Sequence, residues 1–365
     1  MEKITKFLKE AKDLVFQPFF KATQPIQSTI EKTQPIQSTI EETELLQSSI
    51  EETQPFQLSI EGTKLFQTSI LDQPLLPLQV VDKTDALFIR DSYDHTKLTN
   101  KLNPDFQTLI DSGSKTITSV KTDGTCGALI NIDGEIKLYR RQEIKHKSPN
   151  FEHVLTTGKL TEIVGLPCWV ANMERDCGHG RKVTSPLYIF QLTDGRPKRT
   201  SMVGFTPVSS EVPEDKYVIT AIETDPVTHV KYIYTTQSVP GSLDIPIIKI
   251  PVNDLTQGKQ MMTVEIMGRK ISNKYGFDES FGDKCFVNPH GSIIIPDEEL
   301  PELTYDANKS WFSNDQTNRW ANQEGFVIHF PTENVRFKLH RGHVDMLKSW
   351  EKKKSCGITF LFDKL

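Results

Sequence analysis

Beyond residue 83, apolar and polar positions alternate in short runs. Ile117–Lys121, Ala128–Ile132 and Glu135–Arg140 each carry the period of two that turns one strand face inward. Asp133-Gly134, between the last two runs, predicts a tight hairpin turn. Leu187–Leu192, Tyr217–Ile222, Lys231–Thr235, Ile245–Ile250 and Met262–Met267 extend the strand pattern. Helical spacing is confined to Pro104–Ile110 and His343–Lys353. The pattern predicts a β-rich α+β domain with flanking helices over residues 83–365.

Upstream the periodicity changes twice. In residues 1–22, Ile4, Phe7, Leu8, Ala11, Leu14 and Val15 fall on one helical face with lysines opposite. That predicts a short amphipathic helix docking on the core or on a partner. Glu2, Glu10 and Asp13 weigh against a membrane-surface or organellar role. Residues 23–82 then hold a decapeptide repeat, Thr23-Gln-Pro-Ile-Gln-Ser-Thr-Ile-Glu-Lys, with near copies starting at Thr33, Thr43, Thr53 and Thr63. Its apolar fourth and eighth positions suit a helix face, but Pro25, Pro35 and Pro55 interrupt any long helix. The period is shorter than the roughly 20–50 residues of solenoid units. The expectation is a low-complexity spacer, with docking of a protein partner as the alternative.

Composition adds little to the fold and more to the compartment. The chain has 365 residues, 36% hydrophobic and 25% charged, enough for one large core. No apolar run has the length of a membrane span, and charges break up Met1–Lys12, so neither a membrane partner nor a secretory signal is expected. Five scattered cysteines, an odd number, suit a reducing compartment, cytoplasmic or nuclear. The net charge of −5 gives no basic footprint, so any nucleic-acid contact must come from a local basic face. A monomer is expected.

The candidate chemistry begins at Lys121-Thr122-Asp123-Gly124, a turn between two predicted strands. A nucleophilic lysine needs a neutral amine, and burial beside other cations would lower its pKa. Arg140 and Arg141 close the next strand, where alternation lets only one face a cleft. Glu265 points away from the core side of Val264 and Ile266. Glu324, followed by Gly325, is placed to hold a magnesium ion. Arg336, Lys338 and His340 share one face of the last strand, a basic stripe suited to phosphate oxygens. Cys168, Cys177, His179, Cys285 and His290 lack the paired spacing of a structural zinc site.

In this order the segments resemble the covalent nucleotidyltransferase superfamily of ATP-dependent ligases and mRNA capping enzymes. Lys121–Cys126, Cys168–Val170, Glu265–Gly268, Asn273–Gly276, Pro289–Gly291, Glu324–Val327 and Lys338–Arg341 are most similar to the standalone 5′-to-3′ RNA ligases of the RNA ligase 1 family. The resemblance implies an ATP-grasp-like nucleotidyltransferase domain of two antiparallel sheets with a nucleotide cleft between them. It implies a lysyl-AMP on Lys121, with ATP and Mg²⁺ or Mn²⁺ as cofactors. RNA bearing 5′-phosphate and 3′-hydroxyl ends would be the substrate, in RNA repair. Asp123 and Gly124 would shape the lysine turn, with Asp123 alternatively near the ribose or metal of the bound nucleotide, and Glu265 would meet the ribose hydroxyls. The family pattern favours Arg140 as the nucleotide contact, and the DNA-ligase pattern Arg141. Tyr275 would stack on adenine or sit in the core, and Val327 would line the nucleotide site. Lys338 would contact phosphate; Arg336 departs from the superfamily's Lys-x-Lys and its role stays open. The resemblance assigns no job to Pro289-His290-Gly291. The alternatives are a DNA ligase, a capping guanylyltransferase, or a non-catalytic RNA- or partner-binding module. Too few residues follow Lys338 for the oligonucleotide-binding (OB) barrel of the first two. Intact Lys121, Glu265, Glu324 and Lys338 argue against the third.

Overall fold

The computed structural model describes residues 84–94, 97–193, 195–197, 201–237, 241–272, 275, 277, 281–313, 318–344 and 357–362, all in one compact unit. The expected N-terminal helix, the repeat spacer, most of the helix expected at His343–Lys353, and Asn273, Lys274 and Gly276 lie outside them.

The alternating runs pair into a large sheet of twelve strands and a smaller one of four. The hairpin at Asp133-Gly134 forms as its residues dictate, with both at positive φ (54° and 83°), the conformation of the tightest β-turns. At the centre of the large sheet, Glu135–Lys145, Thr125–Ile132, Met261–Gly268 and Cys285–Pro289 lie side by side in that order. The small sheet runs Asp85–Ala86, Val335–His340, Gly325–Phe330, Ile117–Lys121. Its outward-leaning residues alternate with Val120, Phe326, Ile328, Phe330, Phe337 and Leu339, which pack into one core with Ile245, Met267, Phe286 and Phe360 of the large sheet. That shared core fixes one sheet against the other. Four α-helices flank the sheets among the described residues: Pro104–Asp111, Asn150–Thr157, Val252–Thr256 and Tyr305–Ser313. The first starts where Asn103 caps the Asp105 amide, with Pro104 at its opening position.

The expected pair of antiparallel sheets needs correction. Two further two-stranded pieces are present, and three pairings are parallel. Asp85–Ala86 runs parallel to Val335–His340, Lys231–Thr236 to Cys285–Pro289, and Asp244–Pro251 to Thr359–Phe362. Each joins segments distant in sequence, with no hairpin to impose an antiparallel course. Tyr217–Ile222 is not a strand. Val218–Ala221 forms a 3-10 turn, in which the Thr220 hydroxyl bonds the Tyr217 carbonyl and accepts from the Cys285 amide. Such local side-chain bonding competes with a ladder. No helix among the described residues is long and apolar enough to cross a membrane.

Candidate active site

Lys121 ends its strand directly opposite Gly325 in the antiparallel register. The preceding residue, Glu324, is thereby brought to the lysine, and the Lys121 Nζ donates to Glu324 Oε2 at 2.5 Å. Only glycine fits at 325, since an added Cβ would stand 2.1 Å from the Leu339 carbonyl oxygen. On the neighbouring strand Phe337 and Leu339 enter the core, so Arg336 and Lys338 turn the other way, into a cavity of about 300 Å³. Arg336 is steadied by a bond from its Nε to the Thr84 hydroxyl.

The large sheet supplies the opposite wall. Glu265 is flanked in register by Cys126 on one side and Asn288 on the other. The lysine turn packs against this strand through Gly124, where a Cβ would sit 2.5 Å from the Ile266 carbonyl oxygen. His290 reaches Glu265 through Nε2 at 3.2 Å. Arg141 joins the same wall within hydrogen-bond reach of the Cys126 thiol. Elsewhere on the lining, Ser119 and His329 are bonded to each other at 2.7 Å.

The charges in this space are interdependent. Burial opposes a cationic Lys121, but Glu324, Glu265 and Asp123 together outweigh it and hold the amine above the ordinary lysine value. The sequence-based expectation of a depressed lysine is therefore corrected at this position: the charged neighbours within reach include three carboxylates. Burial in turn pushes the Glu324 carboxyl up against the pull of Lys121. The depressed amine is that of Lys338, lowered to about 8 by burial and by the cations Lys121 and Arg90. Burial also takes His340 down to about 4 and His329 to about 3, so both rings are neutral at physiological pH.

Seven of the residues singled out in the sequence, Lys121, Gly124, Arg141, Glu265, Val327, Arg336 and Lys338, share this one cavity. Glu324 meets it through Lys121. Asp123 stands behind the turn: its amide donates to the Tyr275 hydroxyl, and its carboxylate accepts from Ser272. Of the two places expected for Tyr275, the structure gives the core and not an adenine platform. The tyrosine is 2% exposed, with its ring among Phe277 and Phe360. Arg140 is corrected. Alternation turns it to the other face, where it pairs with Glu214 and the fully buried Asp215. Thr84, Ser119, Cys126, Asn288, His290 and His329 join the lining without having been assigned to it. Of these, His290 stood in a motif without a role, and Cys126 could have been found as the residue two beyond Gly124 on the same wall. Glu324 and Glu265 offer the hard oxygen donors that suit Mg²⁺.

A half-buried amine, carboxylates and a set of cations around one cavity can bind a polyanion and form a covalent bond to phosphorus. A family model described as RNA ligase 1 matches residues 92–356, which include every residue lining the cavity except Thr84. No curated protein matches the chain.

Proposed function

This chain belongs to the RNA ligase 1 family, and on that premise we propose that it is an ATP-dependent RNA ligase acting in RNA repair. The observation that carries the reading is the Lys121–Glu324 contact inside a cavity that also presents Glu265, Arg141, Arg336 and Lys338.

Lys121 must first lose a proton. The short hydrogen bond gives it an acceptor in Glu324, whose carboxyl burial makes more basic. The neutral Nζ then attacks the α-phosphorus of ATP; the N–P bond forms, the P–O bond to pyrophosphate breaks, the nitrogen gives its second proton to solvent, and lysyl-AMP results. Lys338, Arg336 and Arg141 are the cations that offset charge on the phosphates. Glu265 accepts from the ribose hydroxyls, and His290 holds its carboxylate in place. Glu324, once its proton has gone to solvent, is the carboxylate that would hold Mg²⁺, which supplies charge neutralisation at phosphate. An oxygen of the RNA 5′-phosphate next attacks the same phosphorus and releases Lys121. The 3′-hydroxyl, losing its proton, then attacks the RNA phosphorus and AMP departs.

The test is incubation with ATP radiolabelled at its α-phosphate, wild type beside Lys121→Ala, followed by denaturing electrophoresis. Label on the wild-type band alone is expected, and excess GTP should not compete. An unlabelled wild type whose intact mass also lacks a bound AMP would overturn the proposal.

A further inference from the structure

One trio in the cavity has chemistry that nucleotide transfer does not require. Cys126 and Glu265 are direct cross-strand partners, so their side chains stand together on one face. Asn288 is paired to Glu265 from the other side, and His290 lies two residues further along, on the same side as Asn288. As a result one ligand atom each from Cys126, Glu265 and His290 falls within 4.8 Å of the others. No other such group of three occurs among the described residues, and the cysteines and histidines near residues 168–179 are not brought together.

The geometry points to a binding site for a thiophilic divalent cation, of the zinc class, held by Cys126, Glu265 and His290 and exclusive of nucleotide. A thiol, an imidazole and a carboxylate form a set that selects such ions over magnesium. Metal–ligand bonds of roughly 2.0–2.3 Å in a tetrahedron set neighbouring ligand atoms about 3.3–3.7 Å apart. Glu265 Oε2 and His290 Nε2 are already 3.2 Å apart, with a proton where the ion would be. The His290 Nδ1 is buried and has no hydrogen-bond partner among the described residues, so only the bond to Glu265 sets the tautomer, and an ion that takes its place frees Nε2 as the proton moves to Nδ1. The thiol lies within 4.8 Å of both other donors, so it needs to close by about 1.5 Å at most, within the reach of a side-chain rotation. On binding, one proton, the thiol's, leaves to solvent, and a water completes the fourth position.

Arg141 is the group that opposes this, since it reaches the same thiol. An incoming ion must displace it, and removal of that competing charge should therefore tighten binding. The exclusion of nucleotide follows because the ion consumes the carboxylate that the proposed ligase reading gives to the ribose. The exclusion rests on that reading; the ion site itself does not.

The experiment titrates metal-free full-length protein with Cd²⁺, following the ultraviolet sulfur-to-metal charge-transfer band, with Zn²⁺ as competitor. One ion per chain is expected. The band should vanish in Cys126→Ser, while His290→Ala and Glu265→Gln should each weaken binding at least tenfold and Arg141→Ala should tighten it. Circular dichroism of each variant separates a lost site from a lost fold, and the three ligand variants are independent of one another. A band that survives in Cys126→Ser, or binding untouched by both His290→Ala and Glu265→Gln, overturns the site. Calorimetry with AMP, which chelates weakly, should show binding lost in the presence of Zn²⁺; undiminished AMP binding overturns the exclusion. Absence of Lys121 labelling with the Cd²⁺ site intact defeats the ligase reading and leaves the site standing.

Discussion

Adjacent arginines on one strand have opposite surroundings, and the difference is testable. Arg140 neutralises the buried Asp215 together with Arg175, whereas Arg141 faces the cavity. Arg140→Ala should cost about 1–3 kcal/mol of stability, because it leaves a buried acceptor short of a donor, and should leave ATP affinity unchanged. Arg141→Ala should do the reverse, with near-wild-type melting and at least a tenfold loss of ATP affinity by calorimetry. Equal effects of the two on binding would contradict this division. Lys338 makes a prediction about pH. Its amine is lowered from 10.5 to about 8, so it is a phosphate-binding cation below about pH 8 and neutral above. ATP affinity should fall as pH rises through that value, and binding there should take up a proton as the anion restores the charge. Calorimetry in two buffers of different ionisation enthalpy reads that proton. Its persistence in Lys338→Met would assign it to another group.

The element that sets the site is the antiparallel pairing of Gly325–Phe330 with Ile117–Lys121 and Val335–His340. Its tolerance at Gly325 is close to zero, since the atoms an added Cβ would strike, the Leu339 oxygen and the His340 Cα, belong to the backbone. Gly325→Ala should therefore force the strands apart, at about 1–3 kcal/mol of stability. It should also withdraw Glu324 from Lys121, so Lys121 labelling should be lost even where the variant remains folded. Full labelling would show that the carboxylate is not needed for attack. Val335–His340 was legible in the sequence because it buries one face and alternates: Phe337 and Leu339 against Arg336 and Lys338. Cys285–Pro289 was not, because all five of its residues are buried and the alternation vanishes. Leu166–Gly178 was hidden differently, by the charged residues Glu174, Arg175 and Asp176 in a long hairpin arm. Arg175 is buried there through its pair with Asp215, which no periodicity could reveal. The order of Lys121, Glu265, Glu324 and Lys338 was readable. The sign of the lysine's pKa was not, since it depends on which carboxylate the register brings opposite.

At the scale of the molecule, the cavity is a seam between two sheets whose facing residues are remote in sequence; Lys121 and Glu324 are 203 positions apart. A nucleotide bound there would touch Glu265 on one sheet and Lys338 on the other, and so would tie them together. A ligand that binds only the folded state stabilises it by about 2.7 kcal/mol at a hundredfold excess over its dissociation constant. The two walls make different contributions before any ligand arrives. The folded state disfavours the charge on Lys338, so that cost is present below about pH 8 and disappears as pH rises toward 10.5. At neutral pH, Lys338→Met should therefore melt higher than wild type, by about 1–3 kcal/mol of stability, yet gain little from ATP. Glu265→Ala removes a carboxylate that favours the charge on Lys121, and so should melt no higher than wild type, again with a reduced gain from ATP. Thermal melts of the three proteins with and without ATP and Mg²⁺ separate these terms. If Lys338→Met melts lower than wild type without ligand, the buried cation is a structural contact, and the view of Lys338 as a site residue held at a cost to the fold is wrong.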